Sequence, residues 1–235
     1  MSTTITRHPE ADTLMSYAAG SLPEPLAAAM AAHAAMCRHC CSELRDMELI
    51  GATLLAEAAA HDTQDGKVAA VPTPPPPVAP ARSEPPPAAA ETAAGLPEPL
   101  ARRCCLTLDS IPWKRLLPGV WHHHLPLSPG VRGDLRLVRI APGRKLPTHG
   151  HGASELTLVL DGAFADEVGV YGRGDIQDID YRTEHQPVAD RKLGCICLIA
   201  CDRSLRFKGW LGLLLRLFGP RRRSDGRGRA QAATS

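Results

Sequence analysis

Nine prolines stand among the residues from Pro72 to Pro87. Each removes a backbone donor and fixes φ, so neither a helix interior nor a central strand can run through this stretch. Residues 61–95 therefore read as a semi-rigid, locally polyproline-like linker, and folded structure is expected on either side of it. A chain of 235 residues has room for two modest domains. The predicted division is a helical domain over 1–60, the linker, a β domain over 96–218, and an Arg-, Gly- and Ser-rich tail over 219–235 that lacks the apolar residues to fold.

The net charge of +2 gives no argument for direct binding of nucleic acid, since the basic excess sits in the tail. No basic n-region followed by an apolar h-region opens the sequence, so no secretory signal is expected. The most apolar run, Trp210 to Phe218, is broken by Arg216 and falls far short of the ~20 residues that cross a bilayer. A cytoplasmic protein without a membrane partner is expected. Its eight cysteines then read as reduced, and the clustered ones as metal ligands or redox thiols.

In the first 60 residues, Pro9 marks a helix start, Leu14 and Tyr17 share one face, and Gly20 is a stop. A second helix runs from about Pro25, with Leu26, Met30, His33 and Cys37 on one continuous face. A third carries Leu44, Met47, Leu54 and Leu55 and ends near Ala60. Tyr17 is the only aromatic residue here, a thin core for so short a domain. His33 and Cys37, at i and i+4, can reach one ion, and Cys40 follows after two residues. His8 is the natural fourth ligand, giving a tetrahedral His2Cys2 zinc site. Structural zinc contributes on the order of 10 kcal/mol to small folds, so the metal would decide whether this domain folds. The alternative is that Cys37, Cys40 and Cys41 are small buried apolar side chains and His8 an exposed terminal residue. His39 and Cys41 rank lower as ligands, the first facing solvent and the second filling core.

The arrangement of His8, then His33-x3-Cys37-x2-Cys40, with LMSYAAGSL between, resembles the zinc-binding anti-sigma domain, and specifically the ChrR-type anti-sigma factors. The resemblance implies zinc on His8, His33, Cys37 and Cys40. It also implies a helical face that clamps an extracytoplasmic-function sigma factor away from RNA polymerase. In that family a further helix follows the three-helix bundle; here the proline-rich segment takes its place, and residues 97–109 are an alternative source of the missing contact.

Beyond the linker the texture changes to short β-type runs separated by Gly and Pro: Leu135 to Ile140, Glu155 to Leu160, Gly169 to Tyr171 and Cys195 to Ala200. They suggest a small antiparallel barrel or sandwich. GRKLPTHGHGASELTLVLDG, residues 143–162, fits the first cupin motif, G-x5-H-x-H-x3-E-x6-G, at every fixed position. Strand alternation places His149 and His151 on one face, and Glu155 follows a short turn, so three ligands converge inside a barrel. Such donors suit zinc, iron, manganese or nickel. GRGDI at 172–176 and the later His185 resemble a second motif that completes the set, although Tyr181 to Glu184 stand where a Pro-x-Gly turn is usual. The ChrR-type resemblance, which continues through EHQPVADRKLGCICL and LRFKGWLG, carries His149, His151, Glu155 and His185 over as ligands of a second zinc ion.

Cys195 and Cys197 share a strand face, and core packing and a redox or ligand-exchange role near the metal both stand open. Cys104 and Cys105 have no comparable context. His122 to His124 read as solvated side chains on an edge strand, and Trp210, Leu213, Leu214 and Leu217 as a helix capping the barrel. The fold class expected is thus α + β in two domains, a zinc-stabilised helical bundle and a cupin-like antiparallel barrel. The function expected is a transcription regulator: an anti-sigma factor that releases its sigma factor when the cupin-like domain senses stress. The resemblance suggests singlet oxygen or organic hydroperoxide as that signal. The alternative is a cupin metalloenzyme, a dioxygenase or isomerase, with an accessory zinc domain. No catalytic triad or phosphate loop is present, and no catalytic residue is assigned.

Overall fold

The computed structural model describes residues 4–64, 95–150, 154–180 and 183–203. His151, most of the linker, Tyr181, the Trp210–Leu217 helix and the basic tail lie outside them. Three helices open the chain: α1 (Ala11–Ala18), α2 (Glu24–Met36) and α3 (Arg38–Gln64). Pro9 stands two residues before α1 rather than in it, and Gly20, at φ +68°, turns the chain out of the helix. Pro25 sits in the first turn of α2, where its missing N–H costs nothing.

The expectation of one continuous helical face through His33 and Cys37 needs correcting. Helix α2 ends at Met36, and Cys37 is extended (φ −108°, ψ 107°), while Cys40 lies in the first turn of α3. The two cysteines thus straddle a helix break. Helix α3 also buries less than its pattern suggested: Leu44 is buried and Met47 packs on the core, but Leu54 and Leu55 face outward.

A short helix, α4 (Glu98–Cys104), follows the linker and packs on α2. Ten strands come next: β1 (Lys114–Leu117), β2 (Val120–His124), β3 (Asp134–Ile140), β4 (His149–Gly150), β5 (Glu155–Ala165), β6 (Val170–Gly172), β7 (Ile176–Ile179), β8 (Glu184–His185), β9 (Val188–Ala189) and β10 (Cys195–Cys201). Neighbours pair antiparallel in the order β1-β2-β3-β10-β5-β6, with β7 and β9 also on β5, and β4 paired separately with β8. Strand β5 runs past Gly162, whose φ is +71° and whose absent Cβ would lie 2.2 Å from the Gly194 carbonyl oxygen. The last Gly of the cupin-like motif is there because no side chain fits.

The two faces of β5 do different work. Leu156, Leu158 and Leu160 point to the helices, joining Leu135, Leu137, Leu198 and Ala200 in one core with Leu26, Ala29, Met30 and Ala32 of α2. Glu155 and Thr157 point the other way, into a small cavity. Because both faces are covered, the strand reads as a nearly unbroken apolar run rather than an alternating one. Helix α2 contacts α1, α3, α4, β5 and β10, which is why it is apolar on nearly every side. The described residues belong to one compact unit, Met1–Leu205.

Strand β2 lies between β1 and β3 rather than at the edge. His122 is correspondingly buried, while His124 is exposed and bonded to Asp134. Among the described residues no helix is long and apolar enough to cross a membrane.

Candidate metal centres

His8, His33, Cys37 and Cys40 come together at the break between α2 and α3. Their ligand atoms all lie within 4.8 Å of one another. His8 Nδ1 is 3.3 Å from Cys40 Sγ and 3.5 Å from Cys37 Sγ, and His33 Nε2 is 3.3 Å from Cys40 Sγ. Bonds of about 2.0–2.3 Å to a tetrahedral zinc give edges of about 3.5 Å between donors, so the side chains are spaced for that ion. Cys40 and His33 are fully buried. The Cys37 thiol is pushed down to about 3 by the hydrogen bond it accepts from Cys40, with His33 adding to the effect against burial. The Cys40 thiol is pushed up by the same bond and by burial. The pair therefore gives up one proton readily and holds the second, which is the proton a divalent cation would replace.

The rivals stand aside. His39 is exposed and bonded to Glu43. Cys41 is half-buried rather than core-filling.

Both histidines are held from the strand domain. His33 Nδ1 lies 3.0 Å from the Gly174 carbonyl oxygen, to which it donates, leaving Nε2 for an ion. One residue before His8, the Arg7 N–H donates to Asp175 Oδ1 at 3.0 Å, the Thr6 N–H does so at 2.7 Å, and the Arg7 carbonyl accepts from the Ile176 N–H. Nothing in the sequence pairs these distant segments.

The second set gathers only in part among the described residues. Glu155 and His185 are buried and face a cavity of about 20 Å³ with Thr157, Gln177, Cys197 and Ile199, room for about one water or ion. The backbone of His149 pairs with that of His185. His185 Nδ1 donates to Asp166 Oδ2 at 2.7 Å, the carboxylate–histidine pattern that orients a metal-binding imidazole. Burial pushes the Asp166 carboxyl up, but bonds from Gln177, His185, Gly169 and Val168 outweigh it and hold the group below its usual range. The Glu155 carboxylate accepts from Thr157 Oγ1 at 3.1 Å and from Cys201 Sγ at 3.2 Å. Gln177 Oε1 is buried with no partner among the described residues. An orphan acceptor beside a carboxylate and an oriented imidazole fits a cation.

Sequence reading missed Asp166 and Cys201, and took Asp175 only as part of the GRGDI turn. Extending the alternation of Cys195 and Cys197 along β10 would have reached Cys201, which opposes Glu155 in register. Asp166 carries no such signal. Cys195 and Cys197 are buried in the interior core, with Cys197 lining the cavity.

Residues 101–203 match the family model described as the ChrR Cupin-like domain. The chain is 37% identical over 213 residues to anti-sigma-E factor ChrR of Cereibacter sphaeroides, covering 90% of this chain and 97% of that protein. The chain belongs to the ChrR family of anti-sigma factors. A crystal structure of Rhodobacter sphaeroides SigE in complex with the anti-sigma ChrR holds a chain that superposes with a TM-score of 0.64 at 34% identity. That match covers 84% of this chain and 99% of the other. The match to the anti-sigma factor extends across both sides of the linker.

Proposed function

We propose that this anti-sigma factor holds an extracytoplasmic-function sigma factor in the cytoplasm through residues 1–60, shaped by zinc on His8, His33, Cys37 and Cys40. The cupin-like region, 96–218, then triggers release on a stress signal, singlet oxygen or organic hydroperoxide. A second divalent ion, zinc or another, is held by His149, His151, Glu155 and His185. The observation that carries the zinc assignment is the spacing of the four donors gathered at the break between α2 and α3. The observation that favours sigma binding is an apolar stripe on α3: Leu49, Ile50, Leu54 and Leu55 are each 60–74% exposed. Met15 of the neighbouring α1 is similarly exposed. Large apolar side chains exposed together along one helix favour a protein partner, and ChrR is found with SigE.

Co-expression with the cognate sigma factor tests this. A stable complex that carries zinc is expected, and it should be lost in His33→Ala and Cys37→Ala. Variants that fold, lack zinc and still retain the sigma factor would overturn the proposal.

A further inference from the structure

We propose that the turn Gly172–Asp175 couples the two metal sites, so that the state of the barrel cavity sets how tightly the helical cluster holds its ion. This rests on the zinc reading above. The turn touches one histidine ligand of the cluster, His33, and the backbone just before the other, His8. Its Gly174 carbonyl accepts from His33 Nδ1–H, and its Asp175 carboxylate accepts from the Thr6 and Arg7 N–H groups next to His8. Asp175 is buried, and its other oxygen accepts from the Gly172 N–H at 2.8 Å, closing the turn on itself. Gly174 has φ +90°, and a Cβ there would lie 2.6 Å from Ile5 Cδ1. The chain before His8 thus lies directly against the turn, with no slack between them.

The same backbone then enters β7, where side chains alternate between faces. Ile176 joins the core shared with the helices, and Gln177 points into the cavity. Gln177 Nε2 donates to Asp166 Oδ2 at 2.7 Å, the oxygen that also holds His185 Nδ1. Only Asp175 and Ile176 therefore separate a carbonyl that orients one candidate ligand, His33, from an amide that shares a carboxylate with another, His185. A change at the cavity, by loss of an ion or damage to a ligand, moves Asp166 and Gln177 and through them the turn. Groups that orient metal ligands in this way are worth 10–100-fold in metal affinity, and the coupling is reciprocal between the sites.

A double-mutant cycle on the full-length protein tests this. With cobalt in place of zinc, the thiolate-to-metal absorption reports the ion on Cys37 and Cys40, and its decay on adding chelator gives the release rate. Asp175→Ala is expected to speed release about tenfold. Gln177→Met, which alters only the cavity side, is expected to speed it by a comparable factor, and to add nothing in the Asp175→Ala background. Should Asp175→Ala fail to fold, Asp175→Asn keeps one acceptor oxygen and carries the same cycle. Gln177→Met releasing cobalt at the wild-type rate, or multiplying independently with the Asp175 variant, would remove the coupling and leave the zinc reading intact. Failure of the wild-type chain to develop the thiolate band would remove both.

Discussion

His33 carries three constraints at once. It is fully buried, donates to Gly174 across 141 positions of sequence, and turns Nε2 toward Cys40. Only the spacing to Cys37 and Cys40 was legible in the sequence, because the Gly174 contact depends on how two distant segments pack. Gly174→Ala should cost about 2 kcal/mol, since an alanine must either hold a left-handed φ or push Ile5 aside; thermal unfolding of the variant checks this. His122 offers a pH test. Burial, with help from His124, Arg136 and Lys114 and against Asp134, pulls its pKa from 6.5 down to about 4. The unfolded chain takes up this proton below about pH 6.5 and the folded chain only near pH 4, so the stability from the neutral imidazole is complete above that window and lost as pH falls through it. His122→Leu should therefore flatten the decline in melting temperature between pH 6.5 and pH 4, while an unchanged decline would place the titration elsewhere.

At the scale of elements, α2 and α3 divide two tasks. Helix α2 is buried in the common core, whereas the outer half of α3 presents Leu49, Ile50, Leu54 and Leu55 to solvent. Leu54→Asp with Leu55→Asp should leave the melting temperature within a degree or two, because exposed positions contribute little to folding, yet abolish capture of the sigma factor in a pull-down. The sequence pattern put Leu54 and Leu55 on the third helix without saying whether they face the core or a partner, since helical periodicity marks apolar positions and not what covers them. The strands at Asp134, Glu155, Val170 and Cys195 were legible from their apolar runs. Strand β1 was not, because Lys114 and Arg115 obscure its alternation, and β2 was legible as a strand but not as an interior one, because its three histidines suggest an exposed edge. The break at Cys37 was also hidden: no Gly or Pro marks it, and the extended backbone there follows from the demand that Cys37, Cys40 and two histidines meet.

At the scale of the molecule, the helices and the sheet share one apolar core centred on Met30, which is fully buried. Met30→Ala should cost 2–5 kcal/mol and should lower the helical and sheet transitions together; two separate transitions, with only the helical one shifted, would contradict a common core. The shared core places the cupin-like region directly against the His8, His33, Cys37 and Cys40 cluster. The most direct measurement of the account is chelator titration of the purified sigma complex, with bound zinc, helical content and retained sigma factor followed together. Removal of the ion on His8, His33, Cys37 and Cys40 is expected to collapse the helical signal and release the sigma factor in step. A zinc-free chain whose helices persist and still hold the sigma factor would contradict it.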